Sequence, residues 1–339
     1  MFGDRNIFMS EKSLKRELTD IVRGELGEKQ APVEGSQRFI YIVKAEDGET
    51  TVKMILRKRL GFSSRLTRKL KTEGTVLRNG RPVKLFADVI EGDVIQVDLP
   101  EERCSFIPQD IPINVAYEDD DLLIINKQPG VVVHPTRGHP VGTISNGLMR
   151  YMEKNNTSFK IRFVNRLDRD TSGLLIVAKN SHAQDVLVQQ MQKNKVKKIY
   201  RAVVHGIINE EHGTIDLPTG RPDSDDIHRA VMADGQPSVT HYEVEERFFD
   251  AKAEGGGYTL VKLRLETGRT HQIRVHMSHI GHPLVGDTLY GHEDPEMIDR
   301  QALHAASLEF EQPVSGAAAV CTADLPEDMQ NMLMKLRVV

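Results

Sequence analysis

One carboxylate, Asp168, stands on a short polar turn between Arg166 and Arg169 in the stretch NRLDRDTSGLLIVAK, and the apolar run Leu174 to Val177 follows at once. An acid anchored by a buried strand is positioned as well as solvated, so it can attack an electron-poor carbon or accept a proton. Taken alone, an acid in such a turn more often bonds its local backbone than catalyses. Tyr200 in VKKIYRAVVHG, Arg274 in ETGRTHQIRVHM and Lys127 in LLIINKQPGVVVHP carry no chemical assignment from type and spacing alone. Plain explanations exist too: Tyr200 as a core residue of an alternating strand, Arg274 as a helix charge, and Arg166 as a solvated turn residue.

Four histidines, His271, His276, His279 and His282, lie close together and raise a metal hydrolase as a rival. No H-E-x-x-H or Cys/His pattern accompanies them, so they are expected to be hydrogen-bonded near a helix end, with no metal and no cofactor. The two cysteines, Cys104 and Cys321, are too far apart in sequence for a knuckle and are expected to be packed or idle thiols.

The elements that must hold these groups divide the 339 residues into two domains. Residues 1–38 read as a tail with one amphipathic helix at 10–26. Residues 39–99 read as a small module: a strand from Phe39, a helix Val52 to Leu60, a helix capped by Ser63 or Ser64 and running to Lys71, an Asn79-Gly80 hairpin, and a strand Val94 to Val97. Pro100 to Pro112 is expected to be a linker. From 113 to 339, strands are expected at 122–127, 131–134, 173–179, 196–205, 238–248, 258–265 and 303–310. Helices are expected at 143–154, 181–194 with Ser181 and Gln184 as a capping pair, 270–280, and 326–337. Their irregular order predicts an α+β fold, with a mixed, largely antiparallel central sheet flanked by helices.

Charge is unevenly spread. The formal net charge is −4, yet residues 57–71 hold seven bases (Arg57, Lys58, Arg59, Arg65, Arg68, Lys69, Lys71) and no acid. A polyanion responds to the face it docks on and not to the average. No run approaches the roughly 18 apolar residues of a membrane span, and no apolar leader core is seen at the start, so a cytoplasmic location is expected.

The ordered motifs LLIINKQPG, NRLDRDTSG, VKKIYRAVVHG, ETGRTHQIRVHM and GDTLYG…LHAASLEF resemble those of the RluA/RluD-type RNA pseudouridine synthases over about residues 112–338. The basic helix and hairpin of the first domain resemble the alpha-L RNA-binding motif first known from ribosomal protein S-four. The first resemblance implies Asp168 as the catalytic aspartate, Tyr200 as the residue stacking on the target base, and Arg274 as the aspartate's partner. Ile273 would be an apolar wall of the substrate site, Arg166 and Lys127 would be substrate contacts, and Lys127, with Pro129 and Gly130, would shape the nearby turn. The second implies phosphate contacts from Arg57, Lys58, Arg65, Arg68 and Lys69.

Many members of the family carry His where this chain has Asn165, a position whose local support or fit to RNA therefore needs explanation. The implied reaction breaks the bond from ribose to uracil nitrogen, turns the held base and rejoins it through carbon 5. One carboxylate suffices, by attack on the anomeric carbon or by assisting proton removal from the ribose. The partners implied are ribosomal RNA of the large subunit first and transfer RNA next, with the protein a monomer. The alternative is a non-catalytic RNA-binding protein acting in ribosome assembly.

Overall fold

The computed structural model describes residues 38–338 apart from 101, 103, 137 and 224–226. The helix expected at 10–26 lies outside the described residues. The chain separates into two compact units, Met1–Glu101 and Glu102–Val339.

The first unit contains strands β1 (Arg38–Ile42), β2 (Thr50–Thr51), β3 (Thr75–Arg78), β4 (Arg81–Pro82), β5 (Asp88–Val89) and β6 (Val94–Asp98), with helices α1 (Val52–Lys58) and α2 (Ser64–Lys69). Ser63 caps α2, its hydroxyl accepting from the Leu66 N–H at 3.2 Å. Asn79 and Gly80 both have positive φ, 50° and 75°, which is what a two-residue hairpin between β3 and β4 requires. The sheet, ordered β1-β6-β3-β4, packs Phe39, Ile95 and Val97 against Val52, Ile55, Leu56 and Leu66 of the helices.

The second unit runs β7 (Val115–Glu118), β8 (Leu122–Lys127), α3 (Ile144–Lys154), β9 (Arg162–Phe163), β10 (Ser172–Ala178), α4 (Ser181–Gln192), β11 (Lys197–His205) and β12 (His212–Asp216). It continues through the short pair β13 (Thr219–Gly220) and β14 (Ala230–Val231), then β15 (Val239–Phe249), β16 (Gly257–Leu265), α5 (Gln272–His279), β17 (Leu303–Glu311), β18 (Ala318–Thr322) and α6 (Glu327–Leu336). The main sheet is ordered β12-β15-β16-β11-β17-β10-β8-β7, with β18 on β17 and β9 on β10. Among the described strands of this sheet the β10–β17 pairing alone is parallel, so the sheet is mixed and largely antiparallel, as expected.

Strand alternation sends one set of side chains to each face. Leu123, Ile125, Leu175, Val177, Ala202, Val204, Val261 and Leu263 meet α3 and α5 on the face that carries the candidate site. On the other face Ile124, Leu174 and Ile176 meet α4, while Val203 and Leu260 meet α6. Direct pairing links Lys127, Gly173, Ala305, Tyr200 and Leu263 in one row across five strands.

Gly173 is in this row for a steric reason. It sits at φ 109°, and a Cβ there would lie 2.3 Å from the Ala305 carbonyl oxygen. Gly173→Ala is expected to destabilise the protein by about 3 kcal/mol or more, through backbone strain and loss of the β10–β17 approach. Thermal unfolding measures this, and a variant as stable as the native chain would contradict the pairing.

Three expectations change. Residues 131–134 form no strand, only a bridge from Val132 to Thr143, because the Val132 and Val133 carbonyls accept from the Ile144 and Ser145 N–H groups at the start of α3. The expected linker belongs to the second unit from Glu102 onward: Asn146 donates to the Ile107 carbonyl at 2.8 Å, Lys154 pairs with Asp110 at 2.7 Å, and the Ile161 N–H donates to Cys104 Sγ. Helix α4 is capped by Asn180 and not by Ser181, the Asn180 Oδ1 accepting from the Ala183 N–H at 2.8 Å.

Candidate active site

Asp168 lies on the loop between β9 and β10, and that loop is tied down along its length. Val164 donates to Ile176, and Asn165 then continues the ladder with its side chain, Nδ2 donating to the Leu174 carbonyl and Oδ1 accepting from the Ile176 N–H at 2.7 Å. This is the local role of the residue that stands where the family often has His. Leu167 is buried in the core, and the Thr171 N–H donates to the Asp168 carbonyl at 3.2 Å. The next two carbonyls are each held by a buried cation: Lys127 Nζ donates to Arg169 O at 2.8 Å, and Arg300 Nη1 to Asp170 O at 2.9 Å. Arg300 also forks onto Asp328 in the first turn of α6, at 2.6 and 2.9 Å. Below the loop, Ser172 Oγ bonds His304 Nδ1 at 2.9 Å.

The carboxylate itself is left about one quarter exposed, with Arg274 Nη1 at 3.5 Å and His271 Nε2 at 3.9 Å. Arg274, expected to pair with Asp168, spends its strongest bonds elsewhere. Its Nε and Nη2 donate to both oxygens of Asp287 at 2.7 and 2.6 Å, and Asp287 is fully buried. Asp287 Oδ1 further accepts from the Leu289 and Tyr290 N–H groups. The arrangement fixes the guanidinium plane and turns its remaining nitrogen toward Asp168. The ring of Tyr290 lies 5.0 Å from the guanidinium carbon, and its hydroxyl bonds His271 Nδ1 at 2.8 Å and accepts from the Arg229 N–H.

His271 adopts the left-handed backbone conformation at φ 57°, uncommon for a non-glycine residue and costly unless its surroundings hold it. Burial lowers its pKa, against an opposing pull from the Asp168 charge, which favours a neutral imidazole beside the carboxylate. Two other histidines of the cluster point to separate partners: His276 to Thr240 and the Leu217 carbonyl, His282 to the His205 carbonyl.

Tyr200 answers the plainer of the two descriptions given from the sequence. It is a core residue of the site-bearing face, 7% exposed, and it lies near enough to Asp168 for that charge to reinforce burial in raising the phenol's pKa. The hydroxyl therefore keeps its proton and offers a donor and a flat ring. Ile273 is buried in the same core. Arg166 is exposed beside the loop, and Arg169 pairs with its neighbour Asp170 at 2.9 Å.

Lys127 is placed differently from a substrate contact. It is 1% exposed, and its three ammonium protons match three carbonyls, those of Gln128, Val131 and Arg169 at 2.8 to 3.0 Å. Burial lowers its pKa from 10.5 to about 7, opposed by the charges of Asp170 and Asp168. With the folded value below the unfolded one, the unfolded chain binds more protons between these limits, and stability rises with pH across that window. The native chain should therefore gain stability relative to Lys127→Met between about pH 6.5 and pH 9. Urea unfolding at the two pH values checks it, and a pH-independent difference would refute it.

Asp287, Tyr290, Arg300 and Asp328 were not singled out as site residues by sequence reasoning, and His271 was raised only as one of four clustered histidines. The segment GDTLYG held a signal, an acid and an aromatic three apart inside glycines. Nothing in spacing connects Arg300 or Asp328 to residue 168.

Comparison with known proteins finds relatives of one family. The family described as RNA pseudouridylate synthase matches residues 121–279. The RNA pseudouridine synthase YlyB of Bacillus subtilis is 44% identical, over 78% of this chain and 86% of its own length. The ribosomal large subunit pseudouridine synthase D of Escherichia coli is 40% identical, over 77% and 82%. Among solved structures, human RNA pseudouridylate synthase domain containing 1 aligns with a TM-score of 0.51 and 28% identity, over 67% of this chain and 96% of its own.

Proposed function

The chain belongs to the RNA pseudouridylate synthase family and is an RNA isomerase of that kind, and from that premise we propose that its substrate is large-subunit ribosomal RNA and that Asp168 carries the reaction. The observation that supports the site reading is the construction around Asp168: a partly open carboxylate on a loop whose flanking carbonyls are held by Lys127 and Arg300, with Arg274 fixed by Asp287 behind it.

Asp168 either attacks the anomeric carbon or assists removal of a ribose proton, and the glycosidic bond to uracil nitrogen breaks. The base then turns against Tyr200 and its carbon 5 bonds to the anomeric carbon, the Asp168 ester bond breaking in the first route and the ribose proton being returned in the second; carbon 5 then loses its proton and nitrogen 1 takes one up. Arg274 and the neutral His271 steady the carboxylate and its charge. Arg166, exposed beside the loop, contacts the RNA from which the uridine has been extruded, a step that costs a few kcal/mol. Ile273 backs this wall of the site, and Lys127 acts as a positioning residue for the loop. In the first unit, Arg57, Lys58, Arg65 and Arg68, all exposed, and Lys69, partly exposed and paired with Glu73 at 3.3 Å, add phosphate contacts. We take the protein to act as a monomer, and a ribosomal substrate fits work in the cytoplasm.

The test is site-resolved pseudouridine mapping of total RNA from cells lacking this protein, complemented with the native chain or with Asp168→Asn. Loss at one or a few large-subunit uridines, restored by the native chain alone, is the expected result. Loss confined to transfer RNA would move the substrate there, and no loss at any site would favour the binding-only role in ribosome assembly.

A further inference from the structure

Phe86 sits on a turn of the first unit whose neighbours face inward. Leu85 and Val89 are in the core, and the backbone on either side of Phe86 is pinned: Lys53 N–H donates to the Leu85 carbonyl and Val52 N–H to that of Ala87, at 2.7 and 3.0 Å. The phenylalanine is held outward, 63% exposed. Single exposed apolar residues are ordinary, but this ring is bracketed by cations, Lys53 Nζ at 5.0 Å and Lys71 Nζ at 5.2 Å from its centre. Lys53 stands in the first turn of α1 and Lys71 just beyond α2. About one helical turn along from each, Arg57 and Arg68 are also exposed. The ring thus marks the place where the basic faces of two helices converge.

We propose that Phe86, Lys53 and Lys71 form a platform on which one unpaired base of an RNA strand stacks, the two ammonium groups moving from the ring to the flanking phosphates. An aromatic face accepts any base, and the cations supply what the phosphates need, so the pair of features fits a nucleotide better than an apolar peptide. Bases inside a duplex have no free face, so the platform selects single strands, bulges and loops. The proposal rests on the reading of the first unit as an RNA contact.

The chain contains no tryptophan, so Phe86→Trp introduces a single reporter into the full-length protein. Titration with a single-stranded oligouridylate is expected to quench its emission. Phe86→Ala should weaken binding about tenfold without changing the salt slope, while Lys53→Ala and Lys71→Ala should each flatten that slope by about 0.7. Phe86→Leu keeps apolar bulk without a π-face and should bind as poorly as Phe86→Ala; if it restores native affinity, the ring is only packing and the proposal falls. A second outcome also overturns the platform while leaving the RNA-binding reading in place. In it, Arg57→Ala, Arg65→Ala and Arg68→Ala weaken binding, the emission of the Phe86→Trp variant does not respond to the oligonucleotide, and Phe86→Ala binds as the native chain does. If none of these substitutions changes affinity or slope, both are overturned.

Discussion

Asp168→Asn is expected to lower isomerisation by at least about four orders of magnitude while leaving RNA affinity within a small factor of native. The change keeps size and one acceptor oxygen, replaces the other oxygen by an amide NH2, and removes the charge. Asparagine can still accept from the groups around it, so the loop, whose carbonyls and not its carboxylate are held by Lys127 and Arg300, has no reason to move. What disappears is the ability to bond to carbon or to take a proton. Release of tritium from carbon 5 of uridine in a large-subunit ribosomal RNA transcript reads the chemistry, since that hydrogen leaves as the new bond is made. Filter binding of the same transcript reads affinity. Residual turnover within tenfold of native would remove Asp168 from the reaction, and loss of binding in step with activity would make it a contact residue instead.

Arg274→Met should damage stability and activity together. It leaves the Asp287 carboxylate, with no exposed surface, facing only the Leu289 and Tyr290 amides after losing two charged donors. Breaking one side of a buried pair typically costs about 3–5 kcal/mol. The double variant Arg274→Met, Asp287→Asn separates fold from function: the neutral amide oxygen still accepts from both N–H groups, so most of the lost stability should return. Isomerisation should not return, because the guanidinium that faced Asp168 is gone. Urea unfolding and tritium release measure the two quantities. Recovery of activity together with stability would show that Arg274 matters only for packing.

The sheet was legible from the chain wherever apolar runs alternate or persist, as in β8, β10, β11 and β16, because burial on one or both faces leaves a period that survives in the sequence. Short edge pieces such as β7, β9 and β18 were not, since a few residues at a sheet margin carry little pattern. The segment after Pro100 looked like a spacer because prolines and polar residues mark loops. Its packing on α3 depends on Asn146 and Gly147, about forty residues away, and no local pattern records that. At the site, Asp168, Tyr200 and Arg274 were named because their motifs are compact. Lys127 was placed near the turn but taken for a substrate contact, because a lysine is usually exposed; only the structure shows its protons consumed by three carbonyls. Asp287 escaped notice because its importance comes from being buried against Arg274, and burial of a single acid has no sequence period.

The clamp on the Asp168 loop has a consequence for the order of events in the making of the protein. Arg300 reaches back 130 residues to hold the Asp170 carbonyl, and it is itself oriented by Asp328. A nascent chain that has just exposed residue 168 has therefore made its acid but not its site. At about 5–20 residues per second, the interval before Asp328 emerges is on the order of ten to thirty seconds. Contacts of such sequence separation also form late in folding, after the local hairpins. The first unit, complete by residue 98 in its strands and helices, is finished long before. The chain thus acquires the basic surface of its first unit early and the clamp on the Asp168 loop last.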